Sequence, residues 1–225
     1  MNYSKNSAVF IVHGFRSDSS SVSQMARILG TEHVVIPVDL ELTFGDLENS
    51  VTQLKSIVFN TLDQYPLQRI SFVGHSTGGI AIRMLLKDRQ IADKTYACVF
   101  VAVPNQGTVL ADAHQTVVPK LFRSIHKPIA QLTRCFIQSL DLECPLHVAF
   151  GGIAGLKNWQ STSGLFSGPN DGVVAVSSVY LEDMTDFIQM PCDHITIMKD
   201  FATTKAILHF MNTLSFPSNL QRLGT

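Results

Sequence analysis

Five short apolar runs do most to limit what this chain can fold into: Ala8-Val9-Phe10-Ile11-Val12, Val34-Val35-Ile36-Pro37-Val38, Ile70-Ser71-Phe72-Val73, Ala97-Cys98-Val99-Phe100-Val101-Ala102-Val103 and Leu146-His147-Val148-Ala149-Phe150. They are continuous rather than alternating. A strand with one wet face alternates apolar and polar residues, whereas a run that is apolar throughout must be covered on both faces, as in a parallel sheet between helices. A sixth and weaker run, Phe187-Ile188-Gln189-Met190, predicts an edge strand. Helical spacing fills the gaps: Leu47, Val51, Leu54, Val58 and Leu62 fall three or four apart along one face, and Ser20 to Leu29, Gly79 to Lys87 and Phe201 to Leu214 have the same character. Strand and helix alternate, which predicts an α/β fold: a doubly wound, mostly parallel sheet of about six strands with its site at their carboxyl ends.

The length of 225 residues suits one domain, 1–225, and 45% hydrophobic against 16% charged residues suits a well-filled core. Lys and Arg number 17 against 18 Asp and Glu, so the basic excess expected of a nucleic-acid binder is missing. The polar start Met1 to Ser7 and the short first run offer neither a signal-peptide core nor a membrane span. The expectation is a cytoplasmic protein, with export by a route that needs no leader left open. Cys98, Cys135, Cys144 and Cys192 lack metal-ligand spacing. A Cys135–Cys144 bridge is conceivable, but a reducing compartment argues for free thiols.

One stretch breaks the alternation. Thr108 to Leu142 is longer than a single crossover helix needs, and Pro119 and Pro128 divide it into short helical pieces. It carries Leu121, Phe122, Ile129, Leu132, Phe136 and Leu140. Two readings stand side by side, a cap or lid over a site and ordinary helices packed on the sheet.

The third run leads straight into Gly74-His75-Ser76-Thr77-Gly78, and a helical stretch follows. A serine at the corner of a sharp strand-to-helix turn is the sequence form of a nucleophile elbow. A serine hydroxyl gains reactivity only if a base takes its proton and fixed donors stabilise the oxyanion that results. In folds of this kind the order along the chain is serine, acid, histidine. Asp171, at the tip of the turn sequence Gly168-Pro169-Asn170-Asp171-Gly172, is the expected acid, with Asp186 as its substitute and Asp141, Asp183 and Asp193 as weaker alternatives. His194, in the loop before the last helix, is the expected base. His147 lies within a strand run and His209 within the last helix, and both read as structural. Asp193 reads as a cap or a solvated carboxylate.

The oxyanion donors expected are the amide of Thr77, at the start of a helix, and that of Phe15, in the loop Val12-His13-Gly14-Phe15 after the first strand. The side chains of Phe15 and Arg16 are the candidate substrate-binding residues at the mouth. His13 and His75 are near the chemistry in sequence, but each reads as a brace that holds a loop by hydrogen bonds. The glycine-rich turn lacks the Lys-Ser/Thr ending of a phosphate-binding loop.

Taken together, these residues resemble the α/β-hydrolase superfamily, and within it the bacterial lipases, esterases and lipase-like deacylases. The resemblance rests on His13-Gly14-Phe15, Gly74-His75-Ser76-Thr77-Gly78-Gly79, Pro104-Asn105-Gln106-Gly107-Thr108, Asn170-Asp171-Gly172-Val173-Val174 and His194, in family order. It implies that Ser76 is acylated, that His194 moves the proton and that Asp171 orients the imidazole. The reaction so implied is hydrolysis of a small-molecule or lipid acyl ester, with transient contact to a lipid interface. It needs no metal and no organic cofactor. A thioesterase or protein deacylase uses the same groups, and a binding protein that retains the pocket is the rival from outside enzymes. Oligomeric state and structural calcium are left open by the sequence. The stretch from Thr108 to Leu142 has no counterpart in the family pattern.

Overall fold

The apolar runs become strands because their alternate residues enter two separate cores. The computed structural model describes residues 7–117 and 127–222. Its six strands are β1 (Ser7–Val12), β2 (Val34–Val38), β3 (Arg69–His75), β4 (Thr95–Val101), β5 (Ala149–Gly155) and β6 (Asp186–Met190). All neighbours pair in parallel, in the order β2-β1-β3-β4-β5-β6. In β1, Ala8, Phe10 and Val12 face one way, toward a core shared with helices α2 (Leu47–Gln64) and α3 (Thr77–Leu85). Val9 and Ile11 face the other way, toward α1 (Ser23–Leu29) and the last helix, Phe201–Thr213. A sheet covered on both faces needs apolar residues at every position, and that is why the runs do not alternate. This is the α/β architecture expected.

Several strand boundaries shift from the sequence reading, and two of the shifts have a clear physical cause. The fifth strand begins at Ala149, not Leu146, and continues through Phe150-Gly151-Gly152-Ile153-Ala154 to Gly155. Leu146 is fully exposed. The strand was hard to read because its glycines carry no apolar signal, yet they are needed for packing. A Cβ on Gly151 would come within 2.8 Å of the Phe216 ring, and one on Gly152 within 2.5 Å of the Met184 sulfur. The fourth strand stops at Val101, where Ala102 takes a positive φ of 51° and turns the chain, its N–H donating to Ile153 O at 2.8 Å.

The weak sixth run is the edge strand. Its outer side is held by the C-terminal segment, where Gln189 N–H donates to Gln221 O at 2.9 Å and Arg222 ion-pairs with Asp186 at 2.9 Å. Covering an edge in this way blocks pairing with foreign strands.

In the stretch 108–142, helices run over Val109–Val117, Lys127–Ala130 and Arg134–Ser139. Pro119, Leu121 and Phe122 lie outside the described residues. Pro128 does not break the chain but sits in the first turn of a helix, where its missing N–H is harmless. Leu132 and Ile137 are buried in the core beneath α2 and α3, and Ile129, Phe136 and Leu140 pack against it. Gln131 ties this part to α2, accepting from Leu47 N–H at 2.9 Å and donating to Glu48 at 3.1 Å. From Ile129 onward the stretch therefore contributes side chains to that core through two short helices and the turn between them. All four cysteines are free, so there is no Cys135–Cys144 bridge.

Candidate active site

Ser76 stands between the last residue of β3 and the first of α3, with φ 50° and ψ −125°. A non-glycine residue in that region is strained, and the surroundings must hold it there. They do so from three sides. The Ser76 N–H donates to Val101 O at 3.1 Å, at the end of the neighbouring strand. Glycines let the helix start press against the sheet: a Cβ on Gly74 would lie 2.6 Å from Gly79 Cα, and one on Gly78 would lie 2.2 Å from His13 O. Gly14 closes the third side, since a Cβ there would come within 3.0 Å of Ser76 Cβ.

Asp171 is buried at the turn beyond β5. Gly172 follows with φ 94°, and Asn170 Oδ1 accepts its N–H at 3.0 Å. One carboxylate oxygen of Asp171 accepts the N–H groups of Val173 and Val174, at 2.9 and 2.7 Å. The other lies 2.7 Å from His194 Nδ1. With its first oxygen fixed by two amides, the carboxylate cannot rotate, and the second is aimed at the imidazole. His194 is held further by its own N–H, which donates to Asp171 O at 3.0 Å. Its Nε2 is 3.0 Å from Ser76 Oγ. A continuous hydrogen-bonded chain therefore runs from serine to imidazole to carboxylate, through residues 118 and 23 apart in sequence.

Thr77 begins α3, whose first N–H groups have no partner within the helix and carry the positive end of its dipole. Phe15 is half-buried in the adjoining loop, and Arg16 is exposed with a positive φ of 54°. His13 fixes that loop. Its Nδ1 donates to Gly14 O at 2.8 Å while its Nε2 accepts the Leu40 N–H at 3.2 Å, so both ring nitrogens are used. His75 is likewise a brace, its Nε2 donating to His194 O at 2.9 Å.

The alternative acids lie elsewhere. Asp186 starts β6, at the end of the sheet away from Ser76, and binds Arg222 and the amides of Phe216 and Phe187. Burial pushes its carboxyl up, but Arg222 and those amides outweigh this and leave it below the ordinary range. Asp193 caps the turn that follows it, accepting from Ile195 and Thr196 N–H at 3.0 and 2.8 Å. Asp141 and Asp183 are exposed. His147 Nε2 donates to Ala92 O, and His209 Nδ1 to Ser215 O. His147 stands in the turn before β5 rather than within the strand.

Two supports escaped the sequence reading. Gly155 lets the acid turn settle against β5, since a Cβ there would lie 2.7 Å from Asp171 Cβ. Trp159 covers Gly172, where an added Cβ would meet the indole at 2.8 Å, and Thr162 Oγ1 donates to Gly172 O at 2.8 Å. The only tryptophan in the chain, lying in the segment just before the acid turn, was the available signal.

A parallel six-stranded sheet with a strained serine at the turn from its central strand into a helix is the α/β-hydrolase fold. A family model described as "Putative serine esterase (DUF676)" matches residues 3–124, and the chain belongs to that family. The match contains Ser76 and the His13-Gly14 loop and ends before Asp171 and His194. Esterase YbfF of Escherichia coli (strain K12) is 30% identical over 87 residues, a match that spans 37% of this chain and about a third (34%) of that esterase. The mature form of the Bacillus licheniformis lipase BlEst2 superposes with a TM-score of 0.72 at 20% identity, covering 94% of this chain and 93% of that one. The metagenomic carboxyl esterase MGS0156 gives 0.63 at 16% identity, covering 86% and 66%. These structures establish likeness of fold.

Proposed function

We propose that this chain is a serine carboxylic-ester hydrolase that works through an acyl-enzyme on Ser76. The observation that carries the reading is the unbroken path from Ser76 Oγ to His194 Nε2 at 3.0 Å and from His194 Nδ1 to Asp171 at 2.7 Å. A binding protein has no need of that alignment, nor of the strained φ at Ser76. In the first half-reaction Ser76 Oγ attacks the ester carbonyl as its proton passes to His194 Nε2. Asp171 stabilises the imidazolium formed, and the amides of Thr77 and Phe15 receive the oxyanion. The tetrahedral intermediate collapses, His194 returns the proton to the departing alcohol, and the acyl group stays on Ser76. His194 then deprotonates a water, whose attack on the acyl group releases the acid and restores the serine.

Lipid-like acyl esters are the substrate class favoured, because the loop before Arg16 carries the apolar, half-buried Phe15 and the superposed B. licheniformis protein is a lipase. Among the described residues no helix is long and apolar enough to cross a membrane. The test is intact-mass analysis after a fluorophosphonate probe, with peptide mapping. One probe per chain at Ser76, absent in Ser76→Ala, is expected. Asp171→Asn should slow labelling by roughly 10³- to 10⁴-fold, because an amide facing Nδ1 favours the wrong tautomer. Folded protein that takes up no probe would overturn the reading. Turnover of acyl thioesters against oxygen esters separates an esterase from a thioesterase or deacylase on the same groups.

A further inference from the structure

One imidazole touches the base without lying on the proton path. We propose that His75 is a positioning residue for His194: from the elbow it grips the backbone carbonyl of the base and lies against its ring, so that nucleophile and base are set by adjacent residues. This rests on the hydrolase reading above and deepens it.

His194 sits in the connection between β6 and the turn Thr196–Met198, and connecting segments are the most mobile parts of a domain. A base must nevertheless be held within a fraction of an ångström of its serine. Besides the bond from its Nε2 to Ser76 Oγ, three bonds hold this one. Two come from Asp171, at the side chain and at the His194 N–H. The third comes from His75 Nε2, 2.9 Å from His194 O. Without it, the base would be held by Asp171 and by the very hydroxyl it must deprotonate.

The anchor itself is rigid. His75 is the last residue of β3, paired with Val101 of β4 and followed directly by Ser76. The space beside its Nδ1 is taken by Gly14, where an added Cβ would lie 2.9 Å away. The two imidazoles lie with centroids 4.9 Å apart and planes inclined by 40°.

The direction of the bond fixes the chemistry. A carbonyl only accepts, so His75 carries a proton on Nε2. Burial, and next the charge on His194, push the His75 pKa down to about 3. It therefore stays neutral while His194 is protonated during turnover. A second positive charge at that separation would oppose the imidazolium on which the reaction depends.

The experiment compares His75→Leu, which removes the donor, with His75→Gln, whose amide N–H can reach the same carbonyl. Each is measured by kcat, KM, fluorophosphonate labelling rate and ¹⁵N-histidine NMR, per mole of folded protein. His75→Leu should lower kcat and the labelling rate about ten-fold with KM within about two-fold, and His75→Gln should recover to within about three-fold of wild type. In wild-type spectra His75 should be the neutral Nε2–H tautomer down to about pH 5, and beyond the ring-current change common to both variants the His194 signals should shift in His75→Leu and not in His75→Gln. Equal behaviour of the two variants, or a His75 that gains a proton above about pH 5, overturns the proposal. If wild type takes no probe, the hydrolase reading falls, and the spectra still decide whether His75 holds His194.

Discussion

His75 is neutral in the folded chain, with a pKa of about 3, whereas an imidazole in the unfolded chain takes up a proton near about 6.5. Between those values the unfolded state binds the extra proton, so stability falls as the pH is lowered. The contribution is complete above the unfolded value, erodes by about 1.4 kcal/mol per pH unit within the window and is gone below the folded value. Urea titrations at a series of pH values should show wild type losing stability faster than His75→Gln on the way down. Parallel slopes would mean that His75 is already charged in the folded state. Other acid-sensitive groups cancel in the comparison. At this scale much was legible: Ser76, Asp171 and His194 each stand at a turn following an apolar run, and chain order brought them together. What escaped were the supports, Val101 O on the Ser76 N–H and Leu40 N–H on His13. Those are backbone groups 25 and 27 positions away, and a backbone amide or carbonyl leaves no mark in the residue types.

Gly78 lies where α3 meets the end of β1, and it shows why an element can obey its neighbours over its own propensity. Alanine in place of glycine would favour an isolated helix by about 1 kcal/mol. Here the added Cβ would sit 2.2 Å from His13 O and 2.7 Å from Val12 O, which are backbone atoms and cannot swing aside. The helix start has to retreat, taking the Thr77 amide and Ser76 with it. Gly78→Ala should therefore cost about 1–3 kcal/mol by overpacking and reduce kcat more than it raises KM. Thermal melts and steady-state kinetics check both parts, and a raised melting temperature would mean that helix propensity wins. The elements themselves were legible wherever side chains carried the pattern, as in the apolar face of α2. They were misread where glycine was the packing residue. Ala149–Gly155 is a central strand whose partners, Phe210, Phe216 and Met184, lie 29 to 67 positions further on, so nothing within the strand announced it.

Across the whole molecule the sheet divides the interior into two apolar layers, and the stretch beyond Thr108 can be judged by which layer it enters. Leu132 is 6% exposed and joins the core of α2 and α3. The segment is tied down at two points, Thr108 N–H donating to Leu132 O at 3.0 Å and the Gln131 side chain reaching α2. A lid opens and closes over a site and contributes little to global stability, because elements that move are drawn from the weakly held end of a structure. A segment packed into the core does the reverse. Leu132→Ala leaves a cavity that the tied backbone cannot collapse, at a cost of about 2–5 kcal/mol. The variant should unfold in a single transition at lower denaturant with an unchanged slope, and it should bind substrate with KM within about two-fold of wild type. The opposite pattern, stability intact and KM changed several-fold, would make this part of the chain a cover for the substrate. Since Leu132 joins the same core as α3, which begins directly after Ser76, the proposed activity is a second readout. A modest fall in kcat that follows the fraction folded belongs to the core reading, and a fall at full folding does not.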